Sequence, residues 1–154
     1  MRAIIQRVSS ASVKVKGETI AAIDEGFLIL LGFTHSDSSL EVEKIWQKIK
    51  GLRIFEDEDA KVNCDLKEVS ANVLIVSQFT LYANLRRGRR PSFTEAAEPH
   101  KAEALYNEFV ELARQDFPQL GTGEFGAMME VSLTNHGPFT LYLDSEDLAK
   151  ARRA

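Results

Sequence analysis

Cysteine and tryptophan are nearly absent from this 154-residue chain, which has one of each, Cys64 and Trp46. A lone cysteine closes no internal disulfide and builds no cysteine zinc site, which suits a reducing compartment. Long apolar runs are also missing. The longest, Phe27 to Phe33, is far short of the roughly 20 residues a membrane helix needs. Met1 to Arg7 lacks the apolar stretch of a signal peptide, so the protein is expected in the cytoplasm with no membrane partner. The three histidines, His35, His100 and His136, stand apart, and no Cys-x-x-Cys or His-x-x-x-His pair occurs. The acidic run Glu56 to Asp59 lacks the glycine and spacing of a calcium loop. Neither a metal nor a cofactor is expected. The formal net charge of -4 excludes a wholesale basic coat for nucleic acid, and it leaves room for a local basic patch.

What is present describes an ordinary globular chain, 44% hydrophobic and 27% charged. Without a linker or a shift in composition, residues 1–154 read as a single domain. Ala3 to Val15 and Thr19 to Ile23 alternate as strands around a turn at Lys16-Gly17-Glu18. Phe27 to Phe33 is apolar on both faces, so it predicts a central strand covered on both sides. Ser38 and Glu41 form a capping box ahead of Val42, Ile45, Trp46 and Ile49, with Gly51 as the stop; that spacing predicts a helix. Leu52 to Phe55 reads as a short strand, followed by an acidic turn and a loop holding Cys64. Val73 to Val76 is a second buried strand. Pro99 opens a long helix with the stripe Ala102, Leu105, Tyr106, Phe109, Leu112 and Ala113, which Phe117-Pro118 closes. Strands return at Ala127 to Thr134 and Phe139 to Leu143, with Asn135-His136-Gly137-Pro138 between them. The fold class is thus mixed α and β, a mixed sheet with two main helices covering one face. An echo between Phe79 to Tyr82 and Phe139 to Tyr142 suggests a repeated strand, or equally a coincidence of strand-favouring residues.

Several segments carry residues suited to chemistry. Gly121-Thr122-Gly123-Glu124-Phe125-Gly126 is rich in glycine, but no helical pattern follows to present a dipole to a phosphate, so it reads as a turn entering a strand. Ser77, His136 and Asp144 supply the residue types of a hydrolytic triad, yet Ser77 lies in no Gly-x-Ser-x-Gly elbow. Arg86, Arg87, Arg89 and Arg90 fall within five positions of an acidic chain. Their mutual repulsion has two readings, an anionic partner such as phosphate or a solvated loop. Lys150-Ala151-Arg152-Arg153 is a second basic segment that would extend such a patch. Ser77-Gln78-Phe79-Thr80 sets hydroxyls, an amide and an aromatic ring at the end of a buried strand. At Gly137-Pro138 a plain hairpin turn and a cis X-Pro bond both fit.

Taken in order, Met1 to Val8, Ser77-Gln78-Phe79-Thr80-Leu81-Tyr82-Ala83, Arg90-Pro91-Ser92-Phe93, Thr122-Gly123 to Phe125 with Met129, and Asn135 to Thr140 resemble the D-aminoacyl-tRNA deacylase family. The resemblance spans essentially the whole chain. It implies a mixed sheet curled towards a barrel with helices outside, a homodimer, and hydrolysis of the ester joining a D-amino acid to the 3′ end of tRNA. It further implies that Gly137 and Pro138, joined by a cis bond, reach across the dimer into the partner's pocket and set chirality. By the same likeness Ser77, Gln78, Phe79 and Thr80 wall that pocket, and Phe125 and Met129 hold the terminal adenosine. His136 departs from the family's frequent aspartate before the glycine; this bears on local charge there, not on the Gly-Pro backbone.

The chemistry suits that task. D-aminoacyl-tRNAs share an α-carbon configuration and an adenosine end, so a general enzyme has to read backbone atoms and ignore side chains. Rejecting an L substrate 10⁴-fold takes about 5.5 kcal/mol, within reach of a clash in a stiff site. Glycine presents nothing to clash, so glycyl-tRNA is an expected substrate. The resemblance further implies that backbone N–H groups near Phe79 and Thr80 stabilise the oxyanion while the neighbouring ribose hydroxyl of the tRNA helps activate water. Thr80 is expected to position the substrate; as a nucleophile it has no neighbouring base in sequence. The rival readings are a tRNA-end binding module without catalysis and a general small-ester hydrolase using Ser77 or Thr80.

Overall fold

The computed structural model describes residues 1–151, so Arg152 and Arg153 of the basic tail lie outside the described residues. The long strand β1 (Arg2–Val15) organises the sheet. Its first half pairs with β3 (Gly26–Gly32) and its second half with β2 (Glu18–Ile23), both antiparallel. Next in chain order are α1 (Ser39–Lys50), a hairpin of β4 (Phe55–Glu56) and β5 (Val62–Cys64), and β6 (Asn72–Ser77). A 3₁₀ turn over Phe79–Tyr82, then α2 (Pro99–Asp116), β7 (Gly121–Thr122), β8 (Glu130–Asp144) and α3 (Ser145–Ala149) complete the order. Strands β6 and β7 run parallel to β3, giving the order β2-β1-β3-β6-β7, and β8 covers the other edge of β1. β7 lies against β2, so the mixed sheet curls nearly closed.

Strands β3 and β6 are buried on both faces because two cores flank them. Phe27, Ile29 and Leu31 with Val73 and Ile75 face the helices, where Trp46, Ile49 and Phe109 pack. Leu28, Leu74 and Val76 point into the curl with Val8, Ala11 and Val13. That is why these segments read as unbroken apolar runs. The capping box at Ser38 and Glu41 starts α1 as expected, and Gly51 caps its end. Trp46 is wholly buried, edge-on to Phe109 at 5.6 Å, and its indole N–H donates to Asp116 at 2.9 Å. This bond ties α1 to the end of α2. Val110, outside the expected stripe, is also buried on α2, while Leu112 is only partly so.

Three local expectations differ from the structure. Leu52 to Ile54 is irregular, and only Phe55–Glu56 forms a strand, paired with β5, so Cys64 sits in a hairpin strand and not in a loop. Side chains tie this stretch down instead: Arg7 donates to the Ile54 carbonyl, and Arg53 donates to the Asn63 carbonyl of β5. Phe79 to Tyr82 is a 3₁₀ turn, so its echo of Phe139 to Tyr142 is not a repeated strand. Finally, Ala127 to Leu143 holds no hairpin. β8 is one strand, because β1 continues past the Gly-Pro pair and supplies a partner on both sides of it. The extra residues are taken up as a bulge.

Candidate active site

A cavity of about 840 Å³ opens at the C-terminal ends of the parallel pair β3 and β6, the usual place for ligands in a sheet of this kind. Leu31, Phe33, Val76 and Val131 form its apolar base; Ser77, Gln78 and Phe79 line one side, Phe125, Met128 and Met129 another. Phe93, Thr94 and His35 complete the rim.

The side from Ser77 to Thr80 is set by how β6 ends. Ser77 is still in register with Leu31, and the Gln78 N–H donates to the Leu31 carbonyl at 2.6 Å. The chain then turns, closed by Leu81 N–H to Gln78 at 3.2 Å and Ala83 N–H to Thr80 at 3.0 Å. The N–H groups of Phe79 and Thr80 open this turn, and no side chain caps it; such leading donors have no acceptor within the turn. The Gln78 side-chain amide bonds to the Thr80 hydroxyl. Phe79 is 55% exposed and meets Phe93 edge-on at 5.0 Å, placing two aromatic rings at the mouth. Phe125 is held from behind by Tyr106, whose ring lies 5.8 Å away and whose hydroxyl donates to Ile75 at 2.8 Å. Burial raises the Tyr106 hydroxyl well above its ordinary range, so it stays a donor.

Ser77, His136 and Asp144 do not assemble: no hydrogen bond joins any two of them among the described residues. Asp144 is engaged elsewhere, accepting from Arg2 at 3.0 Å and from Tyr142 at 3.1 Å and capping α3. Burial works to raise its carboxyl, but the Glu146 amide, Arg2 and Tyr142 together hold it below the ordinary range. Among the described residues neither Ser77 nor Thr80 has a histidine or carboxylate partner. Among the described residues no group of three or more His, Cys, Asp or Glu is placed to hold a metal ion, and no helix is long and apolar enough to cross a membrane.

Arg86, Arg87, Arg89 and Arg90 are exposed on a loop pinned by the Asn84–Ser92 bridge, and none forms an ion pair among the described residues. The loop leads into Phe93, which lines the cavity; the four arginines themselves do not line it. The chain therefore brings Ser77, Gln78, Phe79, Phe125 and Met129 to one cavity, with Thr80 joined to it through Gln78, and does not bring the arginines into its lining.

Gly137 and Pro138 do not line the cavity of their own chain. They protrude, exposed and joined by a cis bond, from the bulge in β8. Gln6 pairs with Thr140 and Val8 with Asn135, so Arg7 alone faces the four residues His136 to Phe139. Arg7, 8% exposed, fills that space. It donates from Nε to the His136 carbonyl at 2.9 Å and from Nη1 to Ile54 at 2.7 Å, and its guanidinium lies 4.8 Å from the Phe139 ring centroid. Asn135 ties the bulge from within, accepting from the Phe139 N–H at 2.6 Å and donating to the Thr140 hydroxyl at 2.9 Å. Gly137 has φ +149, a backbone region that L side chains rarely adopt. Only the carbonyl of His136 is used, so the histidine in place of aspartate leaves these contacts intact. Sequence reasoning missed Arg7 as the anchor of the bulge and Phe33 and Phe93 as cavity residues. The signal for Arg7 was an arginine in an otherwise alternating strand and that for Phe93 its place in the Arg90 to Phe93 motif; Phe33 gave none.

A curled mixed sheet with an apolar cavity at its parallel strand ends and uncapped amides on one side defines a small α/β protein with an open ligand site at a strand end. Comparison with known proteins narrows this class. The family model described as D-Tyr-tRNA(Tyr) deacylase matches residues 4–144. A D-aminoacyl-tRNA deacylase of Desulfatibacillum aliphaticivorans is 54% identical over 146 residues, 95% of this chain and all of that one. One from Thermotoga petrophila is 51% identical over 148 residues, 96% of this chain and 99% of the relative. Among solved structures, a c-Myc DNA Unwinding Element Binding Protein superposes with a TM-score of 0.89 at 40% identity, over 94% of this chain and 98% of that one. A probable eukaryotic D-amino acid tRNA deacylase, at a TM-score of 0.77 and 17% identity over 92% of this chain and 97% of its own, shares the fold. The chain belongs to the D-aminoacyl-tRNA deacylase family.

Proposed function

We propose that this protein is a cytoplasmic hydrolase that cleaves the ester between a D-amino acid and the 3′ end of tRNA, releasing free tRNA and the amino acid. The observation that carries the reading is the pair of uncapped amides on Phe79 and Thr80 at the edge of an apolar cavity, with no nucleophile and base pair beside them. Fixed N–H donors stabilise the charge that develops on an ester carbonyl under attack by water. Ser77, Gln78, Phe79 and Thr80 form the catalytic side, Phe125 and Met129 receive the terminal adenosine, and Arg86, Arg87, Arg89 and Arg90 meet tRNA phosphates. No cofactor takes part.

The active form is a homodimer in which Gly137 and Pro138 enter the partner's cavity. Two features support this: the pair protrudes away from its own cavity, and β8 carries exposed Leu133 and Tyr142 along the strand that bears it. Their rigid carbonyls accept from the substrate's ammonium and leave no room for an L side chain, whereas glycyl-tRNA passes. The small-ester hydrolase reading is disfavoured by the unassisted hydroxyls of Ser77 and Thr80.

The test is a deacylation assay with matched D, L and glycyl substrates. Release from the D and glycyl esters and not from the L ester is expected, and no release from any D-aminoacyl-tRNA overturns the reading in favour of a binding module. In the same assay Thr80→Ala should retain substantial activity; a loss on the order of 10⁴ in a folded, tRNA-binding variant would make Thr80 a nucleophile.

A further inference from the structure

The Leu81 carbonyl lies within the turn that carries the Phe79 and Thr80 amides, and it accepts a hydrogen bond from Arg2 Nη1 at 2.9 Å. The same guanidinium lies over the Tyr82 ring, 4.3 Å from its centroid. One side chain thus grips two consecutive residues of the turn. It is itself fixed, because Nε donates to Asp144 at 3.0 Å, and that carboxylate is shared with Tyr142 and the start of α3. Arg2 faces Asp144 across one edge of β1 and Gly32 across the other. A Cβ on Gly32 would stand 3.0 Å from the Gln78 carbonyl oxygen and 3.0 Å from the Leu81 Cβ. The turn therefore rests directly on the Gly32 backbone and is held from the side by Arg2. A four-residue 3₁₀ turn has few hydrogen bonds of its own, so its placement depends on such outside contacts.

We propose that Arg2 is a positioning residue for the hydrolysis: through the Leu81 carbonyl and the Tyr82 ring it holds the turn so that the Phe79 and Thr80 amides meet the developing oxyanion. The proposal rests on the reading of those amides given above. Arg2 lines no part of the cavity. The role needs a guanidinium, whose fork reaches Asp144 and Leu81 at once while its face covers Tyr82; an ammonium is a compact point charge without that fork, and it stacks poorly. A misplacement of about 1 Å in such a site costs on the order of 10²-fold in rate.

The experiment compares Arg2→Met, which keeps the apolar stem, with Arg2→Lys and with Arg2→Ala supplied with methylguanidinium. Arg2→Met should lower kcat on D-aminoacyl-tRNA by a factor on the order of 10² while KM stays within about threefold. Arg2→Lys should fall between, and methylguanidinium should restore part of kcat to Arg2→Ala. Amide hydrogen exchange at Leu81 and Tyr82 should speed up in Arg2→Met, with exchange in α1 unchanged. A folded Arg2→Met with unmodified kcat overturns the proposal, as does exchange at the turn identical to that of the unmodified protein. Should Arg2→Met fail to fold, full activity in Arg2→Lys overturns it equally. An unmodified protein that releases no D-amino acid instead sinks the functional reading, while the exchange result still reports whether Arg2 holds the turn.

Discussion

Replacing Arg7 with methionine removes the cation from the β8 bulge while keeping most of the stem's volume. Two charge-assisted hydrogen bonds disappear, to Ile54 and His136, each worth about 1.5–3 kcal/mol. The stacking on the Phe139 ring goes as well, at about 1–2 kcal/mol for a desolvated site. Relief from burying a cation offsets several kcal/mol of this sum, while the Ile54 carbonyl is left without a donor. The net loss should be about 2–4 kcal/mol, a fall in Tm on the order of 10 °C for a domain of this size. The bulge should loosen before the core does, since Arg7 is the only β1 residue opposite four residues of β8. Calorimetry gives the first quantity, and the ratio of D to L deacylation rates gives the second. If freedom in the bulge admits the L substrate by about 1.4 kcal/mol, that ratio falls tenfold. Arg7→Lys should recover roughly half of the stability, because an ammonium reaches one carbonyl and not both. An Arg7→Met protein with the unmodified Tm and the unmodified D to L ratio would refute the reasoning on both counts.

Replacing Arg86, Arg87, Arg89 and Arg90 together with alanine should weaken tRNA binding and reduce the slope of log affinity against log salt by about 0.7 for each single-strand phosphate that is no longer neutralised; titrations at several salt concentrations check this, and an unchanged slope returns the loop to a solvated surface feature. Acid should destabilise the protein partly through Asp116: burial works to raise its carboxyl, but hydrogen bonds from Trp46, Lys67 and Lys50 hold it below its ordinary value of 3.8. Because the folded-state value is the lower one, this contribution is full above the ordinary value and fades as pH falls through the folded-state one. Asp116→Asn should therefore lose stability at neutral pH and show a shallower drop in Tm as pH falls from about 5 to below the ordinary value of 3.8; parallel curves for the two proteins would contradict the assignment.

Local patterns in the sequence were enough for the elements whose cause is local. The capping box at Ser38 and Glu41 and the spacing from Val42 to Ile49 specify α1 whatever surrounds it, since the orphan amides and the apolar stripe lie within one segment. Pro99 likewise starts α2. The double apolarity of Phe27 to Phe33 announced a strand covered on both faces, and two cores lie on either side of it. Resemblance carried further than pattern, because the motifs Ser77 to Ala83 and Asn135 to Thr140 are informative only as an ordered set. Only the tertiary structure decided what those motifs do locally. Phe79 to Tyr82 has strand-favouring residues yet turns, because the backbone of Gly32 and the guanidinium of Arg2, both remote in sequence, offer it a seat. Asn135 to Pro138 looks like a hairpin yet continues a strand, because β1 runs past it and Arg7 fills the gap. In each case the deciding partner is a residue from β1 or β3, brought close by strand pairing across more than 40 positions of chain, a distance over which no periodicity or spacing carries information.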